Sequence, residues 1–330
     1  MNSLNQAWLC TCFSLAMCAP VSGENTRDFR LNYDVAISGV DPESTVRIWV
    51  PVPRSNEHQT VELLSDRKTY NCELTTEKKY GNRMFYVVQK SVRNVDLNFS
   101  YNIKRKEVLA DDTSRNKSVL SAEERRTFLS ANEKVPIVGR QLDLLKGLTF
   151  PEDAVGTARV LYNRVDEHVR YDKSSPGYGN GDVAWVCDSR FGNCTDFHSL
   201  FISWARSKNL PARFEIGFPL PAERGGGIIS GYHCWATFFV AGKGWFPVDI
   251  SEADKHPELK DYYFGNITEN RVSFTTGRNI ELVPQQAGPP LNYFVYPHVE
   301  VDGKLWPRER ITLSVSYKDN VLDLQDNDAP

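Results

Sequence analysis

Gly192-Asn193-Cys194 opens an amphipathic stretch, and two strand-like segments after it carry His233 and Asp249. Thiol, imidazole and carboxylate are a nucleophile, a base and an orienter, the set that acyl transfer through a thioester needs. A cysteine at a helix N-terminus lies among unpaired backbone N–H groups at the positive end of the helix dipole, which favours thiolate over thiol. The same groups, the Cys194 N–H among them, are placed to hold an oxyanion. His233 lies 39 residues beyond Cys194 and Asp249 a further 16, so the three meet only through folding. Cys194, His233 and Asp249 are the expected catalytic residues.

The elements that must position them can be read from periodicity. Phe197, Leu200, Phe201, Trp204 and Ala205 form the apolar stripe of a helix that ends near Asn209-Leu210-Pro211, and strands are expected at 214–218, 232–240 and 245–250. If the last two strands form a hairpin, a pairing centred on 241 sets His233 opposite Asp249, and one centred on 242 makes them diagonal neighbours. A two-residue turn at Gly242-Lys243 would send them to opposite faces, so the triad predicts an odd loop or a bulge. Upstream, Val155, Ala158, Leu161, Tyr162, Val165 and Val169 share a second helical stripe whose first turn is marked by Pro151, Glu152 and Asp153. From Glu24 to about Ala110 the period is two, with turn signals at Asp41-Pro42 and Gly81-Asn82, which argues for an antiparallel sandwich. Strands return in the tail, most clearly at Ile311, Leu313, Val315 and Tyr317.

Three runs carry a resemblance: Ser189-Arg190-Phe191-Gly192-Asn193-Cys194-Thr195-Asp196-Phe197-His198, then Gly231-Tyr232-His233-Cys234-Trp235-Ala236, then Gly244-Trp245-Phe246-Pro247-Val248-Asp249. Over roughly Asp153 to Pro257 the chain resembles the bacterial type of the transglutaminase-like superfamily, with Cys, His and Asp in the order that family uses. The resemblance implies a papain-like core, and Ser273 to Lys304 is similar to the segment after that core in exported bacterial members. The expected fold class is therefore α+β, a papain-like transglutaminase core preceded by an antiparallel β-sandwich. The expected segments are a signal peptide at 1–23, the sandwich at 24–115, the catalytic core at 116–265 and a C-terminal β extension at 266–330. The family also supplies a second oxyanion donor from a side chain. Trp185, with its indole N–H, is the candidate here, and a merely packed aromatic is the alternative.

Other polar residues near the motif have plainer readings. Asp196 lies in the first helical turn, where a carboxylate caps free N–H groups. His198 is an alternative base on the same stripe, though a hydrogen-bonded core histidine is the expected role. Cys187, Cys194, His198, His233 and Cys234 suggest a metal site, but there is no Cys-x-x-Cys pair, and residues 233 and 234 point to opposite faces of a strand. No metal or organic cofactor is expected. Cys187 is expected to be buried and inert, the alternative being a redox bridge to Cys194. Gly177, Gly179 and Gly181, with Gly225, Gly226 and Gly227, are read as solvated loops or, alternatively, as lids.

The chain has 330 residues, 41% of them hydrophobic, and a formal net charge of −3 without long blocks, so neither nucleic acid nor an anionic membrane surface is an expected partner. Residues 1–23 hold no charged side chain, and their apolar run is too short to span a bilayer. They read as an export signal, with lipidation at Cys18 as the less favoured alternative. Four sequons begin at Asn98, Asn116, Asn193 and Asn266, and Asn193 is expected to be unmodified because a glycan there would block the cleft. The expected function is an exported, periplasmic or secreted cysteine enzyme that transfers acyl groups from peptide or protein amides. The alternatives are a peptidase or amidase that only hydrolyses and a catalytically silent binding module.

Overall fold

Alternating apolar and polar residues make the N-terminal third a set of strands: β1 (Thr26–Ile37), β2 (Thr45–Val52), β3 (Gln59–Asp66), β4 (Cys72–Thr76), β5 (Arg83–Lys90) and β6 (Val95–Lys106). Every second residue of β1 from Arg27 to Ile37 is buried, as is every second residue of β6 from Val95 to Arg105. The structure is a computed structural model that describes residues 25–66, 70–110 and 119–320. The expected signal segment, Cys18, the Asn116 sequon and most of the connection after β6 lie outside those residues.

Next come α1 (Ala122–Leu129), α2 (Ala154–His168), β7 (Arg170–Tyr171), α3 (Val183–Ser189), β8 (Phe191–Gly192) and α4 (Cys194–Ser207). Asp153, expected in the first turn of α2, is its N-cap, and its side chain accepts from the Gly156 N–H. The expected stripe holds: Ala158, Leu161, Tyr162 and Val165 are buried. Four strands then build the core sheet, in the order β12 (Gly244–Val248), β11 (His233–Val240), β9 (Ala212–Pro219), β13 (Arg271–Thr276). All its pairings are antiparallel. The short β10 (Gly226–Ile228) lies between β9 and β11 in the chain, and α5 (Ile250–Lys255) comes directly after β12.

Helix α4 is buried from Cys194 to Arg206, as an element enclosed on all sides must be. Phe201 of α4 meets Phe238 of β11 at 6.2 Å, so the even-numbered residues of β11 face the helix and Trp235 and Thr237 face away. The sandwich packs on the core sheet through Tyr33, whose ring lies 6.1 Å from Phe218 and 5.7 Å from Phe274.

The tail completes the sandwich. It contains β14 (His298–Val301), β15 (Lys304–Leu305) and β16 (Ile311–Asp319). One sheet runs β10-β16-β1-β6-β3 and the other β15-β14-β2-β5-β4, and Phe85 stacks on Phe99 at 4.8 Å across the two. The divisions expected at 115/116 and 265/266 therefore do not separate sheets. β16 runs beside β1 from Phe29↔Asp319 to Ile37↔Ile311, β13 belongs to the core sheet, and β10 extends the sandwich edge. Period two identifies a strand but not its partner, and the otherwise unpaired edges of β1 and β2 are closed by distant chain. Among the described residues no helix is long and apolar enough to cross a membrane.

Candidate active site

The hairpin register decides whether the imidazole and the carboxylate can meet. β11 and β12 pair Ala236↔Val248 through Val240↔Gly244, the arrangement centred on residue 242. Ala241, Gly242 and Lys243 make the odd loop, with Gly242 at φ 77°, where a side chain would be strained. The strand expected to reach Ile250 stops at Val248, and Asp249 is instead the N-cap of α5. Its Oδ1 accepts from the Glu252 N–H and the Ser251 hydroxyl, both at 3.2 Å. Its Oδ2 lies 2.7 Å from His233 Nε2 and 2.7 Å from Arg271 Nη2.

With Nε2 on Asp249, the other ring nitrogen, Nδ1, lies 3.8 Å from Glu252 Oε1, and the Cys194 thiol is a further hydrogen-bond partner of the ring. Burial alone would lower the His233 pKa, but the Asp249 charge overrides it and carries the ring up to about 9, against the opposing Arg271 charge. Burial would raise the Cys194 thiol. Hydrogen bonds with Cys234 and His233, and then the His233 charge, bring it well below its ordinary value. Asp249 is likewise held far below the usual carboxylate range, burial being outweighed by the His233 and Arg271 charges. The geometry thus supports a thiolate–imidazolium pair backed by a carboxylate. Cys194 is also the first residue of α4, where the backbone N–H has no intrahelical acceptor.

Asp196 anchors the turn that carries Cys194. It accepts from the N–H groups of Asn193 (2.9 Å), Gly179 (2.7 Å) and Gly181 (2.9 Å). Arg278 adds bonds to the carbonyl oxygens of Asn180 and Gly181. The glycine loop before Cys194 is therefore hydrogen-bonded to the first turn of α4, and the stretch from Gly226 to Ile228 is paired with β16. Asp196→Ala strands three buried donors. Unfolding free energy measured in urea should drop by on the order of 4 kcal/mol.

His198 has the expected structural role. Its Nε2 accepts from the Ile250 N–H at 3.0 Å, which ties α4 to α5. Burial keeps the ring neutral and lowers its pKa to about 4, despite the nearby Asp249 charge. A histidine depressed in the folded state stabilises fully above its unfolded value near 6.5, and that contribution is lost as pH falls toward about 4. The shift corresponds to about 3 kcal/mol. Urea midpoints should decline across this window, with a shallower slope in His198→Asn. An equal slope in the variant would assign the decline to other groups.

Trp185, the side-chain oxyanion candidate, lies on α3 just before the turn that carries Cys194. It packs edge-on against Phe191 at 5.2 Å and lies against Gly177. The aromatic hydroxyl on that turn belongs to Tyr232, which accepts from Asn193 Nδ2 at 3.0 Å and meets Thr195 Oγ1 at 2.9 Å. Tyr232 rests on Tyr293 (5.6 Å) and Tyr296 (5.9 Å), two rings from the tail. The thiol beside Cys194 is Cys234, not Cys187. Burial holds Cys234 protonated, its pKa well above the ordinary thiol value, as a hydrogen-bond partner of Cys194. The four described cysteines are free, and burial raises Cys187 to about 11. His233, Asp249 and Glu252 bring ligand-type atoms within 4.8 Å of one another, but Asp249 Oδ2 is already shared by an imidazole and a guanidinium, which a cation would have to displace.

Residues 144–250 match the family model described as "Transglutaminase-like superfamily", and that span encloses Cys194, His233 and Asp249. Residues 144–250 thus form a transglutaminase-like core. The chain is similar in sequence to an uncharacterized protein of Haemophilus influenzae, at 28% identity over 84% of this chain and 86% of that protein. The fold is similar to that of a "putative cysteine protease" from Cytophaga hutchinsonii, with TM-score 0.54 and 16% identity, over 89% of this chain and 98% of that one. At that identity the likeness concerns fold alone, and it extends from the transglutaminase-like core to the sandwich. The periplasmic domain of TgpA from Pseudomonas aeruginosa is more distant, with TM-score 0.37 and 15% identity, over 71% and 90% of the two chains.

Proposed function

We propose that this chain is a cysteine-dependent acyl-transfer enzyme acting on peptide or protein amides. The Cys194 thiolate attacks the amide carbonyl, and the Cys194 N–H, at the head of α4, holds the oxyanion. The His233 imidazolium gives its proton to the departing amine, leaving a thioester and a neutral imidazole. That imidazole then takes a proton from water or a second amine as the new nucleophile attacks, and the thiolate is regenerated. Asp249 fixes the ring, and Arg271 fixes Asp249. The observation that carries this reading is the 2.7 Å contact between His233 Nε2 and Asp249 Oδ2, beside a buried thiol at a helix N-terminus.

The uncharged leader at 1–23 supports export to a periplasmic or extracellular site. Incubation with a glutamine-containing peptide and a labelled primary amine, read by mass spectrometry, tests the reaction class. Amine incorporated at the acyl position supports transfer, whereas hydrolysed product alone assigns the site to an amidase or peptidase. No turnover of any peptide amide, with the thiol intact, would reject both and leave a binding module.

A further inference from the structure

The face of the core sheet that looks away from α4 borders a second cavity of about 350 Å³, lined by none of the three catalytic side chains. Its walls include Trp235 and Thr237 of β11, Arg213 and Glu215 of β9, and, from the sandwich side, Arg54 and Arg105. Arg213 binds Glu215 at 2.7 Å and Thr237 Oγ1 at 3.0 Å. Arg54 Nη1 binds the Tyr80 and Gly81 carbonyl oxygens, both at 3.2 Å. Arg105 differs: the residue is only 3% exposed, and its buried Nε has no hydrogen-bond partner. It also breaks a pattern. Leu97, Phe99, Tyr101 and Ile103 are the preceding inward-facing residues of β6, and the next such position holds a guanidinium.

A buried cation lacking a full set of acceptors weakens a fold unless it serves something else. The favourable charge acting on Arg105 is that of Glu215, already paired with Arg213. Among the carboxylates and guanidiniums lining the cavity, Arg54, Arg105 and Arg213 face Glu57 and Glu215, a surplus of one positive charge. Beside this polar wall lies a small apolar cluster of Val108, Trp235 and Ile267. The volume is in the lower range of small-molecule sites, about 300–1,000 Å³.

We propose that this cavity binds a small amphipathic carboxylate, its anion on the Arg105 guanidinium and its apolar part against Trp235, Val108 and Ile267. One surplus charge fits a monoanion, and the planar guanidinium fits a carboxylate. The site is separate from the acyl-transfer reading and does not depend on it.

The test uses the native protein with 4-phenylbutyrate and its neutral amide, followed by calorimetry and tryptophan emission. The carboxylate should bind at least tenfold more tightly than the amide, Arg105→Gln should abolish that preference, and Trp235→Phe should remove most of the emission change. Arg105→Met should melt at or above the native temperature, because it removes a buried charge. Equal binding of acid and amide, no saturable binding, or an unaltered preference in Arg105→Gln would overturn the proposal, as would tighter binding of inorganic phosphate than of the carboxylate. If the Arg105 variants fail to fold, the acid–amide contrast and the Trp235→Phe emission still decide.

Discussion

Cys194→Ser is expected to lose turnover by on the order of 10⁴–10⁶-fold while folding normally. The thiol is buried at the head of α4 and hydrogen-bonds with His233 and Cys234, and a serine hydroxyl fills nearly the same space. It would not ionise there, so the ion pair that places a proton on His233 would disappear. The second consequence is measurable apart from turnover: by NMR the His233 ring should titrate lower than in the native protein, where it is raised to about 9. Activity that survived in the variant would assign the nucleophile elsewhere.

The second large effect separates His233 from Asp249. His233→Ala should be about as damaging to turnover as loss of the thiol, yet the Asp249–Arg271 pair remains in place, so stability should change little. Asp249→Asn should lower activity by on the order of 10²–10⁴-fold. It should also destabilise the protein by about 3–5 kcal/mol, because it leaves the buried Arg271 guanidinium without its carboxylate and disturbs the α5 cap. Turnover with each variant, set beside urea unfolding, checks the contrast. Equal stability losses in the two would show that Asp249 is only an orienter, as the sequence suggested, and that Arg271 is held by other groups.

Much of the site was legible because its signals are local. The helix opening at Cys194, the cap at Asp196 and the three-residue hairpin loop all follow from spacing and turn chemistry within a few residues. Asp249 as a helix cap was not legible. The apolar run Trp245 to Ile250 continues past the end of β12, and nothing in it shows that the chain turns into α5 at the carboxylate. Arg271 lies 22 residues further on and reaches Asp249 only because β13 is the far strand of the core sheet, a matter of strand order that period two cannot encode. The three backbone donors on Asp196 were half visible: the cap could be read, but its hold on Gly179 and Gly181 depends on how α3 folds back. The Tyr232 hydroxyl, which bonds Asn193 and Thr195, was not legible as part of the turn, because it arrives from just before a strand that begins some forty residues after Cys194. The sandwich shows the same limit, since β14, β15 and β16 were readable as strands but not as members of sheets begun more than two hundred residues earlier.

The central claim is that Cys194 is a thiolate paired with the His233 imidazolium, and the most direct measurement is the rate of Cys194 alkylation by iodoacetamide as a function of pH, in the native protein and in His233→Ala. The account predicts a fast rate already established at mildly acidic pH that stays nearly level until His233 deprotonates near pH 9, with the acid-side reactivity lost in the variant. A native rate that instead climbs with a single ionisation near pH 8.5, the value of an ordinary cysteine, and that is unaltered by His233→Ala, would contradict it.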